Sequence, residues 1–346
     1  MMNWQSNVSL ADYSTMRLGG TAQYLTEVTS SPELAEAIET AENRQLPVTI
    51  IGIGSNVIWR DGLYTGLVIV NRIQGFETFE EDETNTYLTI GGGEIWDSVV
   101  ERSVQSGLSG IECLSLIPGT AGATPVQNVS AYGQEIAQVL TSLTAYDRTD
   151  HQFKTLATSD CQFGYRKSCF NTEQRGRYFI SNITLHLTKT NPQPPFYAAL
   201  STYLEEQHIS TYTPAVIRQA VIAIRQKKLP DIAIIPNSGS FFANPIVDQD
   251  SLDLLLQSYS DIPHWRMENG TIKLSAAWMI DRAGYHAYFD QQTGIGTWDN
   301  QSLVLINKSA KSTADLLQFA TQIQTKVKQL FNVTLIVEPQ LLPYEH

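Results

Sequence analysis

A hydroxyl in a dry setting can deliver a proton, and residues 237–245 offer one. The run reads Asn237-Ser238-Gly239-Ser240-Phe241-Phe242-Ala243-Asn244-Pro245. Ser240 stands between a glycine, which lets the main chain approach a ligand, and two phenylalanines that can exclude water. That makes it a candidate general acid. By itself the run reads better as a surface turn over a small buried aromatic pair. Two glycine loops elsewhere change its meaning. Gly52-Ile53-Gly54-Ser55-Asn56 follows an apolar run, and its main-chain N–H groups, with Ser55 and Asn56, are equipment for a pyrophosphate. Val57 stands where a dinucleotide fingerprint needs its last glycine, and the chain has no Gly-Lys pair for a P-loop. The second loop, residues 117–125, includes Pro118, Gly119 and Gly122 and continues through Gln127-Asn128 to Ala131-Tyr132-Gly133. Small residues and stiff prolines over that length suit a main chain wrapped around an extended cofactor. One such loop would be an ordinary turn; the two together point to cofactor binding.

Cations that could meet a diphosphate are Arg225 and Lys228, three apart and so on one helical face. The same pair complements a helix C-terminus, and both roles are compatible. The six histidines are scattered, and none is assigned to metal or catalysis.

The elements that must carry these residues read as mixed α/β. Residues 22–28 alternate like a strand. Ser31 and Pro32 open a helix with Leu34, Ile38 and Ala41 on one face. Residues 47–51 and 67–70 are apolar strands, giving a βαβ unit over the first seventy residues. A second segment, 75–189, places Gly91-Gly92-Gly93 before a helix with Trp96, Val99, Val100 and Val104 inward. Residues 191–195 form a proline-rich loop. Thr213-Pro214 opens a helix with Ile217, Val221 and Ile224 inward, closed by Leu229-Pro230. Ser312 caps a last long helix with Leu316, Ala320, Ile323, Val327 and Leu330 at core spacing, followed by a strand over 333–337.

At 346 residues the chain is too long for one ordinary domain, and its 42% hydrophobic content can fill real cores. A formal charge of −12 argues against a nucleic-acid binder. Cys113, Cys161 and Cys169 lack metal spacing and read as free thiols in a reducing compartment. No leader segment and no apolar run near the roughly 20 residues of a membrane span is evident, so the chain reads as cytoplasmic.

Taken in order, these motifs resemble those of the UDP-N-acetylenolpyruvoylglucosamine reductase family over nearly the whole length. They are Gly52-x-Gly54-Ser55-Asn56, Ile117-Pro118-Gly119 through Ala131-Tyr132-Gly133, Phe163-Gly164-Tyr165-Arg166-Lys167-Ser168, Lys228-Leu229-Pro230, Gly239-Ser240-Phe241-Phe242-x-Asn244-Pro245, and Glu338-Pro339. The resemblance implies an α+β protein with an FAD-binding fold of the vanillyl-alcohol-oxidase type in two subdomains, 1–74 and 75–230. A substrate-binding domain, 231–332, would follow, and residues 333–346 would return to the first subdomain. It implies non-covalent FAD, held by Gly52, Gly54, Ser55, Asn56, Pro118, Gly119, Gly122, Gln127 and Asn128. NADPH would be the reductant and a UDP-sugar enolpyruvyl ether the substrate, in peptidoglycan precursor synthesis.

Within that family Ser240 would protonate the carbanion-like carbon, Arg166 would stabilise the charge that develops beside it, and Glu338 would assist. Arg166 could otherwise pair with an acid such as Asp160, and Glu338 could be a solvated carboxylate. Arg225, Lys228, Asn244 and Lys273 would bind substrate. Tyr197 would close over the nucleotide, with Tyr203 and Tyr212 as alternatives in the branch carrying a tyrosine-bearing loop. Departures from the family pattern occur at Ser130, Ala243, Asp299 and Gln340. An oxygen-using sugar or alcohol oxidase on the same fold, or a silent nucleotide binder, are the competing classes. Partners other than substrate and NADPH are not expected, and the protein is expected to be a monomer.

Overall fold

The computed structural model describes residues 3–267 and 269–344. Met1, Met2, Glu268, Glu345 and His346, some of them within the expected domain ranges, lie outside the described residues. The chain divides into two compact units. Unit 1 comprises Met1–Val8, Ala22–Ile53 and Thr65–Arg225; unit 2 comprises Ser9–Thr21, Gly54–Tyr64 and Gln226–His346. Both mix helix and strand.

Among the described residues unit 1 holds two large sheets, a two-stranded hairpin and five α-helices: α1 (Ser31–Asn43), α2 (Trp96–Gln105), α3 (Ile136–Val139), α4 (Ala198–Glu206) and α5 (Pro214–Lys228), the last of which runs on into unit 2. In the first sheet Val48–Ile51 lies parallel to Leu63–Asn71, with Val48 opposite Leu67 and Ile51 opposite Val70. Parallel strands need a crossover. Helix α1 closes the face of this sheet, its Leu34, Ile38 and Ala41 packing with Val28, Leu67 and Ile69. It is capped by Ser30, which accepts the N–H of Glu33, one position before the expected Ser31.

The second sheet is antiparallel throughout, ordered Gln152–Ala157, Leu140–Asp147, Tyr178–Thr188, Asn85–Gly91, Phe76–Glu80. Alternate residues of its strands, Leu88, Ile90, Ile183 and Leu185, meet Trp96, Val99 and Val100 of α2 in a sealed core. The Trp96 indole N–H donates to Leu114 O at 3.0 Å, so the ring is buried with its polar atom satisfied. Helices α4 and α5 pack on each other through Leu200, Leu204, Ile217 and Val221, with Cys113 beneath.

Unit 2 adds α6 (Gln249–Ser258), α7 (Ala276–Ile280) and α8 (Thr313–Phe331). Its main sheet runs Asn237–Ser240, Gln301–Asn307, Ile295–Trp298, Phe289–Asp290. A three-stranded sheet joins Ile246–Val247, Ile272–Leu274 and His264–Arg266. The core gathers Phe241, Phe242, Met279 and Ile280 with Leu316, Phe319, Ile323 and Val327 of α8. Ser312 caps α8 as expected, and Asp61 adds a second cap, accepting the N–H groups of Thr313 and Ala314 at 2.9 and 2.8 Å.

Two expectations need correction here. Leu330 is 39% exposed, and Phe331, at 4%, occupies the last inward position of α8. Residues 333–337 form no strand. Val333 and Leu335 are buried and Ile336 exposed, and the segment pairs through an isolated bridge from Val337 to Phe242. The final strand is Gln340–Leu342, which pairs parallel with Val57–Trp59.

Candidate active site

The structure sorts the candidate residues into one set on each unit. On unit 1, glycine loops meet with no room for side chains. A Cβ on Gly52 would lie 2.3 Å from Thr120 Oγ1, and one on Gly122 would lie 3.0 Å from Gly92. Hydrogen bonds from Trp96 N to Gly119 O (3.1 Å) and from Gly122 N to Gly92 O (2.9 Å) fix the second loop. The chain then enters a hairpin in which Ala131 pairs with Gln134. Its two turn residues, Tyr132 (φ 49°) and Gly133 (φ 88°), are both left-handed, as a type I′ turn requires. Glycine does this freely; tyrosine does so under strain, a feature that gathers at functional sites.

The hairpin aims Tyr132 at two neighbours. The Tyr197 ring meets it edge-on at 5.9 Å, and Arg225 hydrogen-bonds to it. Burial pushes the Tyr132 phenol up, against the opposing charge of Arg225. The Arg225 Nη2 donates to Leu116 O at 3.2 Å, while its Nε is buried with no hydrogen-bond partner. Burial pulls the Arg225 guanidinium down, and the charge of Arg166 acts in the same direction. Two guanidiniums held near one another, one with an unused buried donor, make a receptor for an anion.

Arg166 owes its position to a tight turn. Gly164 and Lys167 exchange main-chain hydrogen bonds of 2.9 and 3.1 Å, and Arg166 between them is left-handed at φ 54°. The Asn171 amide donates to Arg166 O at 3.1 Å. Ser168, fully buried, ties the turn down by donating to Val126 O at 2.6 Å. Asn128 belongs to the same scaffold. Its amide nitrogen donates to Glu135 Oε2 (2.9 Å) and to Gly164 O (3.2 Å), and its oxygen accepts Ala137 N (3.2 Å). The Asn128 side chain is thus spent inside the protein. Gln127 and Pro118 lie on the loops beside these groups, Gln127 half-buried and Pro118 exposed.

On unit 2, Ser240 ends the edge strand opposite Val304. Gly239 before it is left-handed at φ 71°, its N–H held by Asn237 Oδ1 at 2.9 Å. Phe241 O, one residue on, accepts the N–H of Glu338 at 2.9 Å, and Ala243 N donates to Ile336 O at 2.9 Å. Ser240 and Glu338 therefore sit on adjoining main-chain segments, both half-buried, above two fully buried rings 5.2 Å apart. Asn244 Oδ1 accepts Ala276 N at 3.0 Å and so holds the start of α7. Lys273 lies over the Trp265 ring at 5.6 Å. Lys228 is exposed at the end of α5, whose Lys227 O is capped by the Asn300 amide at 2.9 Å.

Gly54 is left-handed at φ 70°, and a Cβ there would lie 2.0 Å from Tyr13 O. Ser55 and Asn56 follow it, both half-buried, and Asn56 O accepts Gln340 N at 2.9 Å. A left-handed glycine in such a turn is how main-chain N–H groups form an anion nest. Three of the four departures from the family pattern are locally satisfied. Ser130 pairs with Glu135, Ala243 with Ile336, and Gln340 Oε1 accepts the Tyr344 hydroxyl at 3.0 Å.

Sequence reasoning missed two residues that the structure brings to this site. Arg218, 8% exposed, makes a two-pronged ion pair with Asp97 at 2.6 and 3.1 Å, and Asp97 Oδ1 also accepts Leu116 N at 2.5 Å. An arginine on the inward face of α5, seven positions before Arg225, is the signal that could have revealed it.

Glycine loops closed on one another, a nest-forming turn and a separate C-terminal unit define a flavin-binding protein of α+β fold. The chain belongs to the UDP-N-acetylenolpyruvoylglucosamine reductase family. An FAD-binding domain model matches residues 22–155, and the model of that reductase's C-terminal domain matches residues 230–342. The reductase of Ralstonia nicotianae is 39% identical over 96% of this chain and 97% of its own length. That of Pseudomonas aeruginosa is 36% identical over 97% and 98%. The solved reductase structure from Thermus caldophilus superimposes with a TM-score of 0.69 at 20% identity, covering 99% of this chain and all of that one, and shares the fold. Among the described residues no helix is long and apolar enough to cross a membrane.

Proposed function

We propose that this chain carries out its family's reaction, reducing UDP-N-acetylglucosamine enolpyruvate to UDP-N-acetylmuramate with NADPH. FAD, when bound, supplies the hydride that reaches the terminal carbon of the enolpyruvyl group. The chain's own residues handle charge and protons. Arg166 stabilises the negative charge that builds on the adjacent carbon and its carboxylate, a charge larger in the transition state than in the substrate. Ser240 Oγ–H gives its proton to that carbon and regains one from solvent. Glu338 polarises the enolic carboxylate and supports that proton transfer. Arg225, Lys228, Asn244, Lys273 and Tyr197 bind the nucleotide. The turn at Gly52, Gly54, Ser55 and Asn56, with Pro118, Gly119, Gly122, Gln127 and the Asn128 main chain, holds FAD without a covalent bond. Residues 1–74 and 75–230 are the chain's FAD-binding subdomains, and 231–332 its substrate domain. The protein works as a cytoplasmic monomer.

The observation that carries the reading is the hydrogen bond from Glu338 N to Phe241 O. It sets the Glu338 and Ser240 segments side by side inside the region matched by the reductase's own C-terminal model. That match disfavours an oxygen-using oxidase. The decisive experiment is anaerobic. Purified protein should be yellow, bleach with NADPH, and regain its colour on addition of the enolpyruvyl sugar nucleotide, with a product two mass units heavier. Bleaching followed by recolouring with oxygen alone would defeat the assignment.

A further inference from the structure

We propose that Asp97 and Arg218 are a positioning pair that sets Arg225 as the receptor for the substrate's diphosphate, an inference resting on the reading above. The contacts form a closed ring. Arg218, on α5, grips Asp97 in the first turn of α2 with both of its terminal nitrogens, at 2.6 and 3.1 Å. Asp97 Oδ1 accepts the N–H of Leu116 at 2.5 Å, and the carbonyl of the same Leu116 accepts Arg225 Nη2 at 3.2 Å. Arg225 lies two turns along α5 from Arg218, which closes the ring. Leu116 is left-handed at φ 57°, a conformation that costs a leucine on the order of 1–2 kcal/mol and persists only where the surroundings impose it. Here both of its main-chain groups are claimed by the ring. Ile117, Pro118 and Gly119 follow directly, so the ring also anchors the start of the loop assigned to the flavin.

A simple staple between α2 and α5 would not need its second arginine to keep a buried, unpartnered Nε. Nor would it gain from holding Arg225 within reach of the like charge of Arg166. Both features cost stability in the empty protein and are offset when an anion arrives. Burial works against the Asp97 carboxylate, but the hydrogen bonds from Arg218 and Leu116 and the charges of Arg218 and Arg225 hold it ionised, below the usual carboxylate range. A fixed negative charge behind Arg225 keeps that guanidinium in one place.

The test is a double-mutant cycle read by calorimetric titration of UDP into FAD-loaded protein. Asp97→Asn keeps the shape and an acceptor for Leu116 but removes the charge. It should weaken UDP binding about tenfold in the wild-type background. In an Arg225→Ala background the same change should add less than about twofold, because it acts through Arg225. Arg218→Lys, which keeps the charge but loses the fork, should give a smaller loss in the same direction and serves if Asp97→Asn fails to fold. Unchanged UDP affinity, or equal losses with and without Arg225, would overturn the proposal. So would a wild-type protein that does not bind UDP. A wild-type protein that binds UDP but does not turn over the enolpyruvyl substrate would sink the reaction assignment and leave the positioning pair standing.

Discussion

Arg225 and Ser240 are held by opposite means. Arg225 is positioned by charged side chains of α2 and α5 in a ring closed through the main chain of one strained turn. Ser240 is positioned by main chain: a strand edge, a left-handed glycine before it, and a neighbouring segment bonded to the carbonyl after it. The difference matches the role proposed for each. A cation that waits for an anion needs fixed countercharges in a site shielded from water. A proton donor needs direction and dryness, which main-chain pairing over buried rings supplies without adding charge. It follows that the unit 1 set should respond to charge-changing substitutions and acid, and the unit 2 set to loss of a hydroxyl or of packing volume.

The sharpest way to break this contrast is Ser240→Ala. NADPH should bleach the variant at nearly the wild-type rate, while reoxidation by the enolpyruvyl substrate should slow by about 10²–10⁴-fold, the usual worth of general acid assistance. Glu338→Gln should fail in the same half-reaction. Stopped-flow absorbance decides: equal loss in both halves would mean that the substitution has damaged the site as a whole. Phe241→Ala comes next. Its ring is fully buried, and removing it should cost about 3–5 kcal/mol in denaturant unfolding. A loss under 1 kcal/mol would remove the dry floor beneath Ser240.

Acid should act on unit 1. The Asp97 carboxyl is held below its usual range, so its contribution to stability is complete above about pH 4 and is lost as pH falls through the folded-state value. Urea midpoints measured between pH 7 and pH 3 should fall less for Asp97→Asn than for wild type. Parallel curves would show that the carboxylate contributes nothing. The smallest effect is expected at exposed Lys228. Lys228→Ala should raise the substrate KM by roughly threefold to tenfold with the unfolding midpoint unchanged. A shifted midpoint with an unchanged KM would reduce Lys228 to a helix-end cation.

Much of the architecture was legible because local pattern and tertiary outcome agree. Leu34, Ile38 and Ala41 share a helical face and are all buried, and Pro214 opens α5 where the sequence places it. The end of α8 was misread because Leu330 and Phe331 both suit a helix, and only the position of Tyr259 and Trp278 beside Phe331 selects the inward one. Residues 333–337 alternate like a strand, but strand pairing needs a partner of matching length, which the sequence does not reveal. Motifs singled out Ser240, Glu338 and Arg166 as candidates, and helical spacing with Lys228 singled out Arg225. They did not show that the Asn128 side chain and the Asn244 oxygen are engaged in scaffolding. The pair Asp97 and Arg218 stayed hidden because its members lie 121 positions apart and neither stands in a motif.

The parallel pairing of Val57–Trp59 with Gln340–Leu342 has a consequence for how the protein is made. Arg60 and Pro343, joined by a hydrogen bond at this ladder, are separated by 283 positions. At ribosomal speeds of about 5–20 residues per second, the early strand must wait on the order of 15–60 s for its partner. Unit 1 is fully synthesised once Arg225 emerges, whereas unit 2 also needs the residues that follow it. Nascent chains stalled near residue 260 should therefore show a protease-resistant unit 1, with residues 54–64 still open to cleavage and to chaperones. Resistance at 54–64 in such stalled chains would mean that another segment shelters the orphan strand during synthesis.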